Sequence, residues 1–341
     1  MNIVVIGGGT GSTVVLEGLK NYRDLNLSVI VSMMDDGGSN AVVRDEFGLL
    51  PLSDVRKSII ALSNSDDNEI LRKLFTYRFS EGENIKGHTM GNLLMIAMTD
   101  IMGSEIEAIK MFENMFGVRG DVIPVTLDKT RLVAEYTDGT KIVGEHEIDE
   151  IKEDKKIKKF YLDSKASIYK EAKERILNAD YIILGPGDLY TTVISNIIVE
   201  GVSDAIKKSR AKLVYITNLM SKIGQTRHRT QKEIIELLEE NCKKKMDYVL
   251  INNGRIPEEA YKRYIADGEN LIIDNVIENK RLQVIREDLV ANDPIKKDKG
   301  DVLIRSLVRH DSKKLGKILY GIFNHSSLSR FLSSIFSQYI D

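Results

Sequence analysis

Residues 1–19 read MNIVVIGGGTGSTVVLEGL, and the meaning of this stretch decides the rest. Asn2 to Ile6 is an unbroken apolar run, the kind of strand buried on both faces of a parallel sheet. From Ser12 to Tyr22 the apolar residues take helical spacing, with Val15, Leu16 and Leu19 on one face. Between them lie Gly7-Gly8-Gly9-Thr10-Gly11. Glycines admit backbone N–H groups to a phosphate with no Cβ in the way, and a helix start offers its positive end. Gly7 and Gly9 fit the dinucleotide pattern G-x-G-x-x-G, but Ser12 stands where the third glycine belongs. Asp35 lies close to the place of a ribose-binding acid, so NAD stays open. No G-K-[ST] follows, which excludes a P-loop. The glycine interruption and the missing basic n-region make this start a strand rather than a signal peptide.

Working outward, LSVIVSMM (27–34) is a second strand and Asp35-Asp36-Gly37-Gly38-Ser39 the loop after it. Strand, helix and strand in so short a span form a βαβ unit with a right-handed crossover. Helices follow, with Ser53 and Asp66 as candidate caps and NLLMIAMTDIM as an apolar helix behind GHTMGN (87–92). Within residues 120–150 the period changes to alternation (TRLVAEY, TKIVGEHE) around Asp138-Gly139, a hairpin dipeptide. The lysine-rich IKEDKKIKKF (151–160) alternates in charge and reads as a solvated edge rather than a nucleic-acid patch. YIILGPGD (181–188), KLVYITNL (212–219) and DYVLINNG (247–254) resume the parallel pattern.

The expected architecture is an α/β Rossmann-like three-layer fold with a mainly parallel sheet. It forms one domain over residues 1–324, with an antiparallel β-hairpin insertion at about 120–150 and an amphipathic helix over 325–341. That last helix carries apolar residues at 328, 331, 332, 335 and 336, suited to the body, a second subunit or a membrane surface.

The 341 residues include 49 basic and 51 acidic ones, a net charge of −2, so no global field gathers nucleic acid. No apolar stretch reaches the ~18–20 residues of a membrane span. Cys242 is the single cysteine, which excludes an intrachain disulfide and a Cys-x-x-Cys zinc site and suits a reducing cytoplasm. Its expected role is a small residue near a helix end.

Ligands of open parallel sheets sit outside the carboxyl ends of the strands, and seven polar loops fall at such ends or at helix starts. Gly7–Ser12 is the first. In the second, Asp35 and Asp36 suit Mg²⁺ or a ribose. The third, Pro51–Arg56, offers Ser53 and Asp54 as caps or ligand contacts. In the fourth, Gly87-His88-Thr89-Met90-Gly91-Asn92 opens a helix, and His88 suits a cap, a hydrogen-bond donor or a general acid. Gly185-Pro186-Gly187-Asp188 is the fifth, Asn218 with Gly224-Gln225-Thr226 the sixth, and Asn252-Asn253-Gly254 the seventh. A nucleotide or other phosphorylated ligand is the economical common cause. No Ser-His-Asp order, H-E-x-x-H or Cys–His pairing stands out.

Together, VVIGGGTGSTVVLEGLK, VSMMDDGGS, LLPLSDVRKSIIALS, GHTMGNLLM, LNADYIILGPGDLYTTVISN, ITNLMSKIGQT and INNGRIP resemble the gluconeogenesis factor (YvcK-like) family. That family lies within the 2-phospho-L-lactate transferase (CofD-like) superfamily. The resemblance implies a cytoplasmic protein that binds UDP-N-acetylglucosamine and helps govern carbon metabolism, cell-wall growth and cell shape. Its ligand positions fall on Gly9, Thr10, Gly11 and Ser12, on Asp35, Asp36 and Ser39, and on Gly87, His88 and Asn92. They continue on Gly185, Gly187, Asp188 and Leu189, with Tyr264 and Arg309 near the sugar nucleotide. Asp54 and Asn218 join from the loops above. A packed tyrosine and a surface ion pair are the plain alternatives for Tyr264 and Arg309.

Expected partners are a UDP-sugar or other nucleotide, a second copy and a regulatory protein, but no nucleic acid. No cofactor is assigned with certainty, and Mg²⁺ is the one candidate. Mg²⁺ on Asp35 and Asp36 enters only under the alternative of a nucleotide-linked transferase, and an NAD oxidoreductase ranks last. The chain departs from the family where Ser39-Asn40-Ala41-Val42 replaces Ser-Ser-Gly-Arg, and at Ser53, where the family has glycine. Ile223 stands in place of a proline. Asp188 replaces a serine, adding negative charge where a diphosphate would lie.

Overall fold

The computed structural model describes residues 1–37, 40, 47–63, 69–291 and 307–337, with 325–337 as backbone only. β1 (Asn2–Gly7) runs through the middle of a seven-stranded sheet. Ile3, Val4, Val5 and Ile6 are all at most 2% exposed, so both of its faces are covered, which makes three layers. The chain leaves β1 through α1 (Gly9–Leu19) to β2 (Asn26–Val31), which pairs parallel with it from Asn2↔Asn26 to Gly7↔Val31.

The helices described next are α2 (Ser53–Leu62), α3 (Glu69–Thr76), α4 (Met90–Met102) and α5 (Glu105–Met115). They lead to β3 (Asp121–Pro124), parallel to β2 at the sheet edge. After an insertion and α7 (Lys170–Leu177), the chain crosses to the other side of β1 as β7 (Tyr181–Leu184). It then continues outward through β8 (Lys212–Ile216), β9 (Tyr248–Asn252) and β10 (Gln283–Glu287). The strand order β10-β9-β8-β7-β1-β2-β3 therefore reverses between β1 and β7.

The insertion differs from the expected hairpin. Asp121–Pro124 belongs to the main sheet, and the antiparallel strands lie further on, in the order β5-β4-β6. β4 (Leu132–Tyr136) and β5 (Lys141–Val143) turn at Asp138-Gly139, where Gly139 has φ +86°. β6 (Ile157–Leu162) is a third strand, an edge built from the lysine-rich segment with Lys158 and Lys159 exposed. TKIVGEHE stops being a strand at Gly144 (φ +112°), and α6 (Glu145–Asp149) begins there. The cause is Asp36, whose carboxylate accepts from the His146 amide at 3.0 Å and caps the new helix.

Beyond β7, Leu189–Ile194 is a π-helical turn, followed by α8 (Ser195–Ile197) and α9 (Val202–Lys208). α10 (Gln231–Cys242) starts with a capping box of Thr230 and Glu233 and ends on buried Cys242, whose thiol burial pushes up to about 12. α11 (Glu258–Ala266) precedes β10. Among the described residues the closing helix, α12, starts well before residue 325 and spans Ser312–Ser337. It packs beside α1 so tightly that a Cβ on Gly18 would lie 2.2 Å from the Ser312 carbonyl, and one on Gly316 2.2 Å from that of Gly18. Tyr22 and Tyr320 stack at 3.9 Å one turn further on, so the two helices run in the same direction. No described helix is long and apolar enough to cross a membrane.

Candidate functional site

Where a strand order reverses, the loops leaving the two central strands turn to opposite faces and open a crevice between them. Here those loops are Gly8–Gly11 after β1 and Gly185–Asp188 after β7. They border a cleft of about 500 Å³, within the range that suits a small organic ligand. The first six polar loops each supply lining residues, whereas Asn252-Asn253-Gly254 does not. Asn252 is occupied instead by the amides of Gly254 and Leu289, at 3.1 and 2.9 Å.

The glycines of the first loop serve close packing. A Cβ on Gly11 would lie 2.0 Å from the Pro186 carbonyl, so the β1 and β7 loops touch backbone to backbone. A Cβ on Gly8 would lie 2.3 Å from the Asp54 carboxylate. That carboxylate accepts from the Gly9 amide at 2.7 Å and from the Lys57 ammonium at 2.8 Å. The positive end of α1 thus already faces an anion belonging to the chain. Ser53 does not cap α2: it is the first helical residue, and its hydroxyl donates to Asn40 at 2.8 Å.

Asp35 and Asp36 diverge. Asp35 accepts from the Gly37 amide at 2.9 Å and the Asn40 side chain at 2.7 Å. Burial pushes its carboxyl up, and the Asp54 charge adds to that. Asp36 is held by the insertion, as described above. Among the described residues no three His, Cys, Asp or Glu side chains are grouped to hold a metal.

On one wall, Thr89 caps α4 by accepting from the Asn92 amide at 3.3 Å. Asn92 accepts from buried Arg56 at 2.9 Å and donates to Ser53 at 3.0 Å, tying α4 to α2. The backbone folds back so that the Phe79 amide bonds the His88 carbonyl, which sets Arg78 beside the loop. The Arg78 guanidinium donates to the Gly87 carbonyl at 2.6 Å. His88 is not the cap. Its Nδ1 is shielded from solvent and bonds no described group.

Elsewhere in the lining, Lys222 donates to Asp149 of α6 at 2.6 Å and to Asp188 of the β7 loop at 2.8 Å. Burial works against the Lys222 charge, but the two carboxylates outweigh it and hold the ammonium above the usual lysine range. Burial pushes Asp149 up to about 7, with Asp188 adding and Lys222 opposing. Glu145 is raised well above the usual carboxyl range, first by burial and then by Asp35, Asp149, Asp54 and Asp188. The extra charge at Asp188 is thus neutralised inside the protein.

Of the expected site residues, Gly9, Thr10, Gly11, Asp35, Asp54, Gly87, His88, Asn92, Gly187, Asp188, Asn218, Tyr264 and Arg309 line this one cleft. Ser12, Asp36, Gly185 and Leu189 do not. Ser12 is buried with its hydroxyl on the Gly9 carbonyl, and Leu189 is 1% exposed in the core. Gly185 (φ +73°) packs on the Ile216 carbonyl. Ser39 and the candidate cap Asp66 lie outside the described residues. Tyr264 is a packed tyrosine whose hydroxyl accepts from the Leu307 amide at 2.9 Å.

The sequence reading passed over Arg78, Lys86, Glu145, Asp149, Lys222 and Glu269, all of which line the cleft. Arg78 and Lys86 flank the glycine-bracketed loop closely, and that proximity was the available signal. His310 was also missed. Its Nε2 meets the Thr217 carbonyl at 3.1 Å, and burial pulls it down to about 4, so it is neutral.

Fold and cleft together define a doubly wound α/β protein with a ligand crevice at the switch point of its parallel sheet. Residues 3–290 match the family model described as 2-phospho-L-lactate transferase CofD. The chain belongs to that family. A Thermotoga maritima relative is 39% identical over 322 residues, covering 94% of this chain and 98% of its own length. The gluconeogenesis factor of Bacillus subtilis is 34% identical over 322 residues, covering 93% and 96%. A Bacillus halodurans protein of known crystal structure matches with a TM-score of 0.82 and 34% identity over 94% of this chain and 99% of that one. A second crystal structure, titled as a member of the UPF0052 family, matches with a TM-score of 0.81.

Proposed function

We propose that this protein binds UDP-N-acetylglucosamine in the switch-point cleft and acts in the cytoplasm as a regulator linking carbon metabolism to cell-wall growth and cell shape. One observation carries the proposal: loops from β1, β2, β7 and β8 and from the start of α4, distant in sequence, share a single crevice. The gluconeogenesis factor name of its relatives supports the regulatory role. Binding without turnover is the form proposed. A transferase acting on a nucleotide-linked phosphate is the second reading, favoured by the description of the family.

Isothermal titration with UDP-N-acetylglucosamine, UDP, GDP and NAD, each with and without EDTA, separates the two. Binding of the UDP-sugar that is indifferent to EDTA and leaves the ligand intact is the expected result. Metal-dependent consumption of a guanosine diphosphate donor would establish the transferase instead. A preference for NAD would overturn both.

A further inference from the structure

Among the described residues Arg56, Arg309 and three further cationic features border the cleft; Arg56 is held by Asn92, and two of the three are already occupied. The α1 N-terminus faces the Asp54 carboxylate, which also holds Lys57. Lys222 is shared between Asp149 and Asp188. The third is the segment from Arg78 to Asn92. Lys86 is exposed there, and among the described residues nothing accepts from its ammonium. Arg78 spends one nitrogen on the Gly87 carbonyl and keeps further donors in its planar fork. The N-terminus of α4, thirteen residues long, adds its partial positive charge beside them.

Another part of the lining has the opposite character. Glu145, Asp149, Asp188 and Glu269 line it, with Lys222 as the cation among them. Glu145 lines the cleft with no described hydrogen-bond partner. Burial and mutual repulsion raise both Glu145 and Asp149, the mark of carboxyls crowded together. Such crowding suits neutral polar groups, while a further anion there meets the same repulsion.

We propose that the cleft is polarised: the phosphates of its ligand dock on the Arg78–Asn92 segment, and the Glu145–Asp149 wall receives an uncharged, hydroxyl-bearing group and rejects an acidic one. This rests on the sugar-nucleotide reading of the same site and adds the ligand's direction and the class of sugar admitted. Neutral hexoses are admitted and sugar acids are excluded.

Three probes test it by isothermal titration at low salt: inorganic pyrophosphate, UDP-glucose and UDP-glucuronate. The two nucleotides differ only in a hydroxymethyl group against a carboxylate. Pyrophosphate is expected to bind the native protein, with Lys86→Ala and Arg78→Ala each weakening it at least tenfold at unchanged melting temperature. UDP-glucuronate is expected to bind at least tenfold more weakly than UDP-glucose. Pyrophosphate binding indifferent to both substitutions would overturn the placement of the phosphates. Equal or tighter binding of UDP-glucuronate would overturn the discrimination. If pyrophosphate binds in a Lys86-dependent way and neither nucleotide does, the sugar-nucleotide reading fails while the phosphate placement stands.

Discussion

The glycine loop after β1 and the segment from Arg78 to Asn92 both border the cleft, yet they reach it by different means. The first carries the strongest signature in the chain, four glycines between a buried strand and a helix. In the folded protein those glycines let the β1 and β7 loops meet backbone to backbone and let Asp54 reach the start of α1. The second carries a modest signature, two glycines around a histidine, and yet it presents a lysine with no partner among the described residues. A glycine-rich turn records where backbones approach closely. It does not record whether the approaching group is a phosphate, another loop or an internal carboxylate.

The contrast is open to direct test, and Gly11→Ala is expected to have the largest effect. Its methyl would lie 2.0 Å from the Pro186 carbonyl, a backbone atom that no rotamer change can move aside. A loss of about 3 kcal/mol or more is expected in urea unfolding. Gly9→Ala is the control: open space surrounds it, and only its φ of +61° opposes a side chain, at a cost of about 1–2 kcal/mol. A Gly11→Ala protein of native stability would restore the phosphate-cradle account.

Asp54→Ala comes next. It strips the Gly9 amide and Lys57 of their shared acceptor, at a cost of about 1.5–3 kcal/mol. Removing the Asp54 charge also lowers the Asp35 carboxyl toward its ordinary range, readable by carbon NMR across a pH titration. An unmoved Asp35 would show that burial alone raises it.

The pH dependence is subtler. Burial pushes Asp149 up to about 7 in the folded protein, above the ordinary aspartate range, so the folded state holds that proton more tightly. Its contribution to stability is complete below the unfolded value and is lost as pH rises through about 7. Asp149→Asn is therefore expected to flatten the fall in unfolding free energy between pH 5 and 7.5. An unchanged slope would remove Asp149 as its source. Smallest of all is the effect of Lys86→Ala on stability, within about 0.5 kcal/mol by the same urea unfolding, since the side chain is exposed and unpaired.

The main sheet was legible because Ile3–Ile6 and Tyr181–Leu184 are continuous apolar runs, which only a doubly covered strand requires. The insertion was less so. IKEDKKIKKF has no alternation of apolar residues to mark β6, whose pairing with β4 comes from the rest of the chain. At Gly144 a distant carboxylate, Asp36, decides between strand and helix, and no local pattern encodes that contact. The cleft showed the same division. Loops that announce themselves with glycine were found, while Glu145, Asp149 and Lys222 reach it through long-range packing of the insertion on the β7 and β8 loops. Asp188 looked like a charge in the way of a ligand, because its neutralising partner is 34 residues further along the chain.

The close crossing of α1 and α12 at Gly18 and Gly316 has a spatial consequence. α1 sets out from the cleft and runs toward the edge where the strands begin, and α12 follows it in the same direction. The helix therefore delivers the backbone past Phe323 to the far end of the molecule. The end of α12 thus lies at the pole opposite the cleft, and contacts made there leave the room inside the cleft untouched.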